Sequence, residues 1–258
     1  MADAGVAPAT VDDIAATCDR VFIAVYSAEQ ARSALASLGR CSPGALRVYC
    51  ATTVQPADAI DLVVRAEALA IELIEFPISG SSAEVLAGEA FGLVGPSAAR
   101  AQGPSAYSDD LLLAAVTPAF TRFPEVGDAS KAKLAINLVL ELNRTALAEG
   151  LVFAEAVGLD GELLAPALLR SAAESRVMHR KLPKMLHGEF SAEGRLEQSL
   201  KDVHSMLECA RRSGVRLPLL EAQANLLASG VAAGEGHRDN SVVIEELRRR
   251  VEHGLTPA

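Results

Sequence analysis

One stretch constrains this chain more than any other: residues 127–160, GDASKAKLAINLVLELNRTALAEGLVFAEAVGLD. Ser130 is suited to cap a helix start, and Gly158 stands where a C-terminal glycine cap belongs. No proline falls between them. At about 1.5 Å of rise per residue the segment predicts a helix roughly 40 Å long, enough to run through a whole domain. Its apolar residues, among them Leu134, Ile136, Leu138, Val139, Leu140, Leu142, Leu147, Leu151, Val152, Phe153 and Val157, fall on several faces. A helix that is apolar most of the way round is expected to be buried. The polar exceptions then carry information. Lys133, Asn137 and Glu141 are spaced i, i+4, i+8 and form one line. On a buried helix a lysine and an amide need partners or a solvent-filled cleft. One reading has Lys133 reaching solvent from the first turn; the other makes it a general acid/base lysine with an asparagine one turn on.

The rest of the chain divides around this helix. Thr10–Thr17 predicts a short helix capped by Thr10. Val21–Tyr26 (VFIAVY) is a continuous apolar run, the pattern of a strand buried on both faces. Ser27–Leu38 reads as a helix closed by Gly39. Residues 45–50 read as a strand after a turn at Ser42, Pro43 and Gly44, and 56–70 as a helix with Pro56 in its first turn. Strands are expected at 71–76 and 91–94, and a helix at 111–120. Strand and helix alternating in this rhythm predict a parallel α/β sheet. After Ser130 the pattern is all helical, with helices expected near 160–173, 175–185, 194–213, 217–229 and 241–253. The expected organisation is an α/β N-terminal domain over residues 1–126 and an all-α C-terminal domain over 127–258, organised on the long helix between them.

Composition narrows the function. Twenty-four basic against thirty-three acidic residues leave a net charge of −9, and no basic stripe is visible, which argues against nucleic acid and anionic membranes. The apolar runs are too short to span a bilayer, and the N-terminus lacks a signal layout, so a cytoplasmic location is expected. Cys18, Cys41, Cys50 and Cys209 show no metal spacing. Cys18, Cys50 and Cys209 read as small core residues, and Cys41 as a turn residue. The five histidines include no HExxH, and no metal site is expected. Arg248–Arg250 with Glu245 and Glu246 read as a solvated helix face.

Four short motifs stand in order. They are Thr52-Thr53-Val54-Gln55-Pro56, the segment Glu75 to Gly80 (EFPISG), the segment Gly127 to Asn137 (GDASKAKLAIN), and Phe190 through Lys201-Asp202. Together they resemble the S-T-V-x-P, D-A-P-V-S-G-G, G-x-G-x-x-x-K-x-x-N-N and F-S…L-x-x-K-D segments of the β-hydroxyacid dehydrogenases, the family of 3-hydroxyisobutyrate dehydrogenase and, more distantly, 6-phosphogluconate dehydrogenase. The resemblance runs from about residue 10 to residue 249. It implies a truncated Rossmann-like parallel sheet followed by the helical domain. It also implies NAD- or NADP-dependent interconversion of a small hydroxy acid and its semialdehyde or keto acid, in a homodimer or larger homo-oligomer. Carried over residue by residue, Lys133 is the catalytic lysine. Asn137, Ser79 and Gly80 bind substrate. Tyr26, Ser27, Thr53 and Lys201 contact the nucleotide. Partial desolvation lowers a lysine's pKa toward neutrality, where proton exchange is useful.

The departures from the family pattern are specific. Ala129 replaces the second glycine of the helix-opening motif, Ile136 the first of two asparagines, and Ser81 the last glycine of the substrate motif. No GxGxxG occurs anywhere in the chain. Measured against the first βαβ unit of the fold, roughly fifty residues are expected to be missing ahead of Val21. That would leave Val21–Tyr26 as an open edge. An incomplete reading of a longer gene is the favoured explanation, ahead of a short form completed by a partner's strand or a remnant that no longer binds nucleotide. The alternative function is therefore a non-catalytic relative that serves as a binding or oligomerisation module.

Overall fold

The computed structural model describes residues 7–41, 46–96 and 104–254. The expected turn at Ser42, Pro43 and Gly44 lies outside them, as does most of the segment 1–9. The described chain forms two compact units, residues 1–134 and 135–258, which divide inside the long helix.

In the first unit, α1 (Val11–Thr17) begins with a reciprocal cap. The Thr10 hydroxyl accepts from Asp13 N, and the Asp13 carboxylate accepts from Thr10 N. Then follow β1 (Arg20–Ile23), α2 (Ala28–Cys41), β2 (Leu46–Cys50), α3 (Pro56–Ala68) and β3 (Ile71–Glu75). The three strands are parallel in the order β1-β2-β3, with Val21 opposite Val48 and Val48 opposite Leu73. Because strand side chains alternate in direction, the sheet feeds two cores. Leu46, Val48 and Cys50 pack with Leu35, Leu38 and Leu62 of α2 and α3. Tyr49 faces the other way, stacked on Phe22 at 5.0 Å between ring centroids and edge-on to Phe76. Both faces are covered, and the charged residues that interrupt the apolar strands, Arg47 of β2 and Glu72 of β3, pair with each other at 2.6 Å.

β1 is shorter and less buried than expected for Val21–Tyr26. It ends at Ile23, and only Ile23 of its four residues is buried. The chain leaves the sheet because Val25 N donates to the Thr52 hydroxyl and Tyr26 N to the Gln30 side chain, so neither continues the ladder. Among the described residues β1 pairs only with β2. Gly39 does not close α2, which runs on to Cys41. A methyl at Gly39 would stand 2.8 Å from Leu69 Cδ1, so this glycine serves close helix packing. Cys41 is thus a helix residue. Cys18 is exposed and Cys209 half-buried, while Cys50 is a core thiol, and burial pushes its pKa up, against hydrogen bonds with Thr52.

A second sheet follows, in the order β4-β5-β6, from β4 (Ile78–Ser79), β5 (Phe91–Val94) and β6 (Ala119–Arg122). β4 and β5 are antiparallel, and β5 and β6 parallel. Gly95 N donates to Glu75 O and Leu93 N to Pro77 O, which ties this sheet to the end of β3. The short helix α4 (Ser82–Leu86) and the helix α5 (Pro104–Val116) lie between its strands. The helix expected at 111–120 therefore stops at Val116. Pro118 has no N–H to continue it, and Phe120 becomes a strand residue.

Residues Asp128–Ala156 form α6, 29 residues and about 44 Å long. Gly158 adopts a positive φ of +83° just beyond its end, as expected for a C-terminal glycine. The helix is not buried all round. Val139, Leu140, Phe153 and Val157 are exposed, Phe153 at 67 %.

The second unit contains most of α6 with α7 (Gly161–Leu168), α8 (Arg176–His187), α9 (Leu196–Arg212), α10 (Pro218–Gly230) and α11 (Val243–Gly254). Its core includes Leu147, Leu151, Leu182, Met185, Leu196, Val203, Leu220, Leu227 and Ile244. Glu245 and Glu246 are not simply solvated. Glu246 is buried between Arg249 and Arg250, and Arg248 bonds Glu155 of α6.

Candidate functional site

The first group of site residues gathers at the carboxyl ends of the parallel strands. Ligands of open α/β sheets bind at that end. The turn after β1 carries Tyr26, exposed, and Ser27, half-buried, whose hydroxyl accepts from Gln30 N at the start of α2. The turn after β2 carries Thr53, half-buried. The two turns are stitched together: Ala51 N donates to Ile23 O, and Val25 N to the buried Thr52 hydroxyl at 3.1 Å. Thr52, which sequence reasoning passed over, thus fixes the turn that presents Tyr26 and Ser27. Nothing in the sequence distinguished it from Thr53.

Ser79 ends β4, opposite Phe91, and Gly80 follows with φ +151°. A Cβ at Gly80 would lie 2.9 Å from Ala90 Cβ, so backbone conformation and space both require glycine here. Ser81, where the family motif has another glycine, caps α4: its hydroxyl accepts from Glu84 N while Glu84 accepts from Ser81 N.

Lys133 is 7 % exposed. Ser130 does not cap α6, because it already lies inside the helix. Its hydroxyl donates to the Glu75 carboxylate at 2.5 Å, and its N–H to the same oxygen at 3.0 Å. Gly127 N donates to the other oxygen at 2.5 Å. The cap of α6 therefore comes from Glu75, the last residue of β3. A small cavity bounded by Thr52, Glu75, Pro77 and Ser130 lies against this junction. Sequence reading left Glu75 without a role; the available signal was an acidic residue closing an apolar strand. Ala129, where the family has glycine, is fully buried in the same turn.

Along α6, one turn after Lys133, Asn137 is 8 % exposed, and among the described residues its Oδ1 has no hydrogen-bond partner. Next on the stripe, Glu141 and Arg144 are ion-paired and buried. Gln223 Nε2 donates to the Glu141 carboxylate at 3.0 Å, and Arg144 reaches the Ser199 hydroxyl. The Glu141–Arg144 pair is an i,i+3 pair on α6 itself; the Gln223 and Ser199 contacts were not legible, because they come from distant helices. Lys201, half-buried on α9, is 3.1 Å from Asp202. Among the described residues no His, Cys, Asp and Glu cluster could hold a metal ion.

Two family models match. Residues 1–103 match the NAD binding domain of 6-phosphogluconate dehydrogenase, and 127–247 match the NAD-binding domain of NADP-dependent 3-hydroxyisobutyrate dehydrogenase. L-threonate dehydrogenase from Cupriavidus necator is 28 % identical over 253 residues, 95 % of this chain and 82 % of that protein. The chain belongs to the β-hydroxyacid dehydrogenase family. The 2-(hydroxymethyl)glutarate dehydrogenase of Eubacterium barkeri is 25 % identical, covering 90 % of this chain and 77 % of that protein. Among solved structures, 3-hydroxyisobutyrate dehydrogenase from Salmonella typhimurium shares the fold at a TM-score of 0.82 and 22 % identity, with 92 % and 82 % of the two chains covered. The Psf3 complex with NADP+ and 2-OPP aligns at a TM-score of 0.79, with 22 % identity over 93 % of this chain and 84 % of that one.

Members of this family are matched by NAD-binding models, and part of this chain fits a nicotinamide nucleotide. Turns 24–27 and 51–55 fit one end of it. They open at the strand carboxyl ends, are cross-linked through Thr52, and offer an exposed aromatic ring and hydroxyls. Neither turn carries a glycine, so the close backbone approach of a glycine-rich pyrophosphate turn is not made there.

Proposed function

We propose that the chain is an NAD- or NADP-dependent oxidoreductase that interconverts a small hydroxy acid and its semialdehyde or keto acid. The observation that carries this is the pair on α6: a lysine 7 % exposed, followed one turn later by a buried asparagine whose Oδ1 has no partner among the described residues. A buried unpaired acceptor is costly unless a donor arrives, and a substrate hydroxyl is such a donor. When bound, the nicotinamide accepts or delivers the hydride. Lys133 exchanges the proton with the hydroxyl or carbonyl oxygen. Asn137 orients that oxygen. Ser79 and the backbone at Gly80 bind the carboxylate. Tyr26, Ser27, Thr53 and Lys201 contact the nucleotide. In this reading residues 1–126 serve the nucleotide, while 127–258 serve substrate and subunit contact in a cytoplasmic homodimer or larger oligomer. The exposed Val139 and Phe153 on α6, with Val157 just beyond its end, support such a contact.

The test takes the 258-residue chain, titrates it with NADH and NADPH by fluorescence, and assays oxidation of L-threonate and 2-(hydroxymethyl)glutarate, substrates suggested by the relatives' names. Saturable nucleotide binding and turnover are expected. A second reading, a non-catalytic binding or oligomerisation module, is favoured by the glycine-free turns 24–27 and 51–55. A folded chain that binds neither nucleotide would establish it over the first.

A further inference from the structure

We propose that Glu75 is a positioning residue for Lys133: it fixes the first turn of α6 against the end of β3, and so sets where the lysine is presented. The inference rests on the catalytic reading of Lys133 given above.

Glu75 is 4 % exposed and carries a carboxylate, which is costly to bury unless its oxygens are satisfied. Two backbone N–H groups and one hydroxyl satisfy it, those of Gly127 and Ser130. They belong to the start of α6, whose unpaired N–H groups and positive dipole end favour a negative charge. The backbone of Glu75 is held as well, and its side chain packs against Gly95. Gly95 N donates to the Glu75 carbonyl at 2.9 Å, and a Cβ at Gly95 would stand 3.2 Å from Glu75 Oε1. Three segments thus meet at one side chain: the end of β3, the residue after β5, and the first turn of α6. Five residues after Glu75 comes Gly80, in the segment assigned to the substrate carboxylate.

The geometry reaches Lys133 through helix periodicity. Ser130, Lys133 and Asn137 are spaced i, i+3, i+7 and share one face, and all three are buried. Bonds to Ser130 N and Oγ, with a third to Gly127 N, restrict rotation of α6 about its axis as well as translation along it. A single capping bond would restrict only one of these.

The test uses E75Q and S130A in the full chain. In E75Q the amide NH2 faces one of the N–H donors in place of an acceptor, and the first turn must shift. Crystal structures should show Lys133 Nζ displaced by about 1 Å relative to Ser79 and Gly80, with the cores unchanged. A displacement of that size is expected to lower kcat roughly 100-fold, with KM for L-threonate within about threefold of wild type. S130A keeps both backbone bonds, folds whether or not E75Q does, and should lose about 10-fold in kcat. In a K133A background either substitution should add nothing, because its effect passes through the lysine. Unmoved Lys133 in the variant structures, or wild-type kcat in E75Q and S130A beside an inactive K133A, would overturn the proposal alone. Wild-type rates in K133A would instead overturn the catalytic reading on which it rests.

Discussion

Lys181 Nζ lies 2.9 and 3.0 Å from the two carboxylate oxygens of Asp239, a residue with no exposed surface. Asp239 also accepts from Glu193 N, Ser241 N and the Ser241 hydroxyl, so it ties α8 to the segments that precede α9 and α11. Burial pushes its pKa up, but the bonds from Lys181, Ser241 and Glu193 N outweigh burial and hold the carboxyl below the usual range. A depressed folded pKa contributes stability above the unfolded value, near pH 4, and that contribution is lost as pH falls below it. Asp239→Asn leaves the buried Lys181 with only the more exposed Glu193 carboxylate, 3.6 Å away, as counter-charge and should cost about 3 kcal/mol at pH 7. Urea denaturation should show the gap between wild type and variant narrowing below about pH 4. A gap constant from pH 7 to pH 3 would contradict the assignment.

Gly92, in the middle strand of the second sheet, has no room for a side chain. A Cβ there would stand 2.5 Å from Thr117 Oγ1 and 2.7 Å from Phe76 Cε2. Overpacking of this kind costs about 1–3 kcal/mol. Gly92→Ala should therefore lower the melting temperature by roughly 5–10 °C. Calorimetry of the two proteins checks this, and an unchanged Tm would mean the strand spacing is looser than described.

Thr52→Val removes the acceptor for Val25 N while keeping side-chain volume. Losing one such bond is worth about 1 kcal/mol, close to a fivefold change in an equilibrium constant. The turn carrying Tyr26 and Ser27 then loosens, and Kd for NADPH should rise about fivefold, with Tm lower by roughly 2–4 °C. Equal affinities in fluorescence titrations would show that this turn does not serve the nucleotide.

Lys133→Ala should reduce turnover by roughly 10²–10⁴, the usual worth of a general acid/base. Circular dichroism should show the fold retained, and nucleotide affinity should be unaffected. Comparable rates in wild type and variant, on any accepted substrate, would remove the lysine from the mechanism.

Elements with strong local signals were legible from residue order. Thr10 and Asp13 make the expected cap. Leu46–Cys50 and Ile71–Glu75 are strands at the expected places, and Gly158 follows the long helix with the positive φ that favours glycine. Other elements were not. Gly39 has the composition of a helix stop yet continues the helix, because the deciding contact is with Leu69, thirty positions away in the chain. Phe120 reads as helical until Phe91 and its neighbours offer it a ladder. The first strand looks two-sided and is not, since Val25 N is diverted to Thr52.

The same division runs through the candidate site. Residue order alone determined the α/β-then-α organisation, the long helix, and the line of Lys133, Asn137 and Glu141. These depend on periodicities of 2 and 3.6 that any local window displays. Tertiary structure decided which polar groups on that line are satisfied and by whom. Ser130, Arg144 and Asp239 each have a partner more than fifty residues away, in Glu75, Ser199 and Lys181. Burying a charge demands a partner but does not say where in the chain it comes from. Only the packed backbone brings Glu75 to the start of α6.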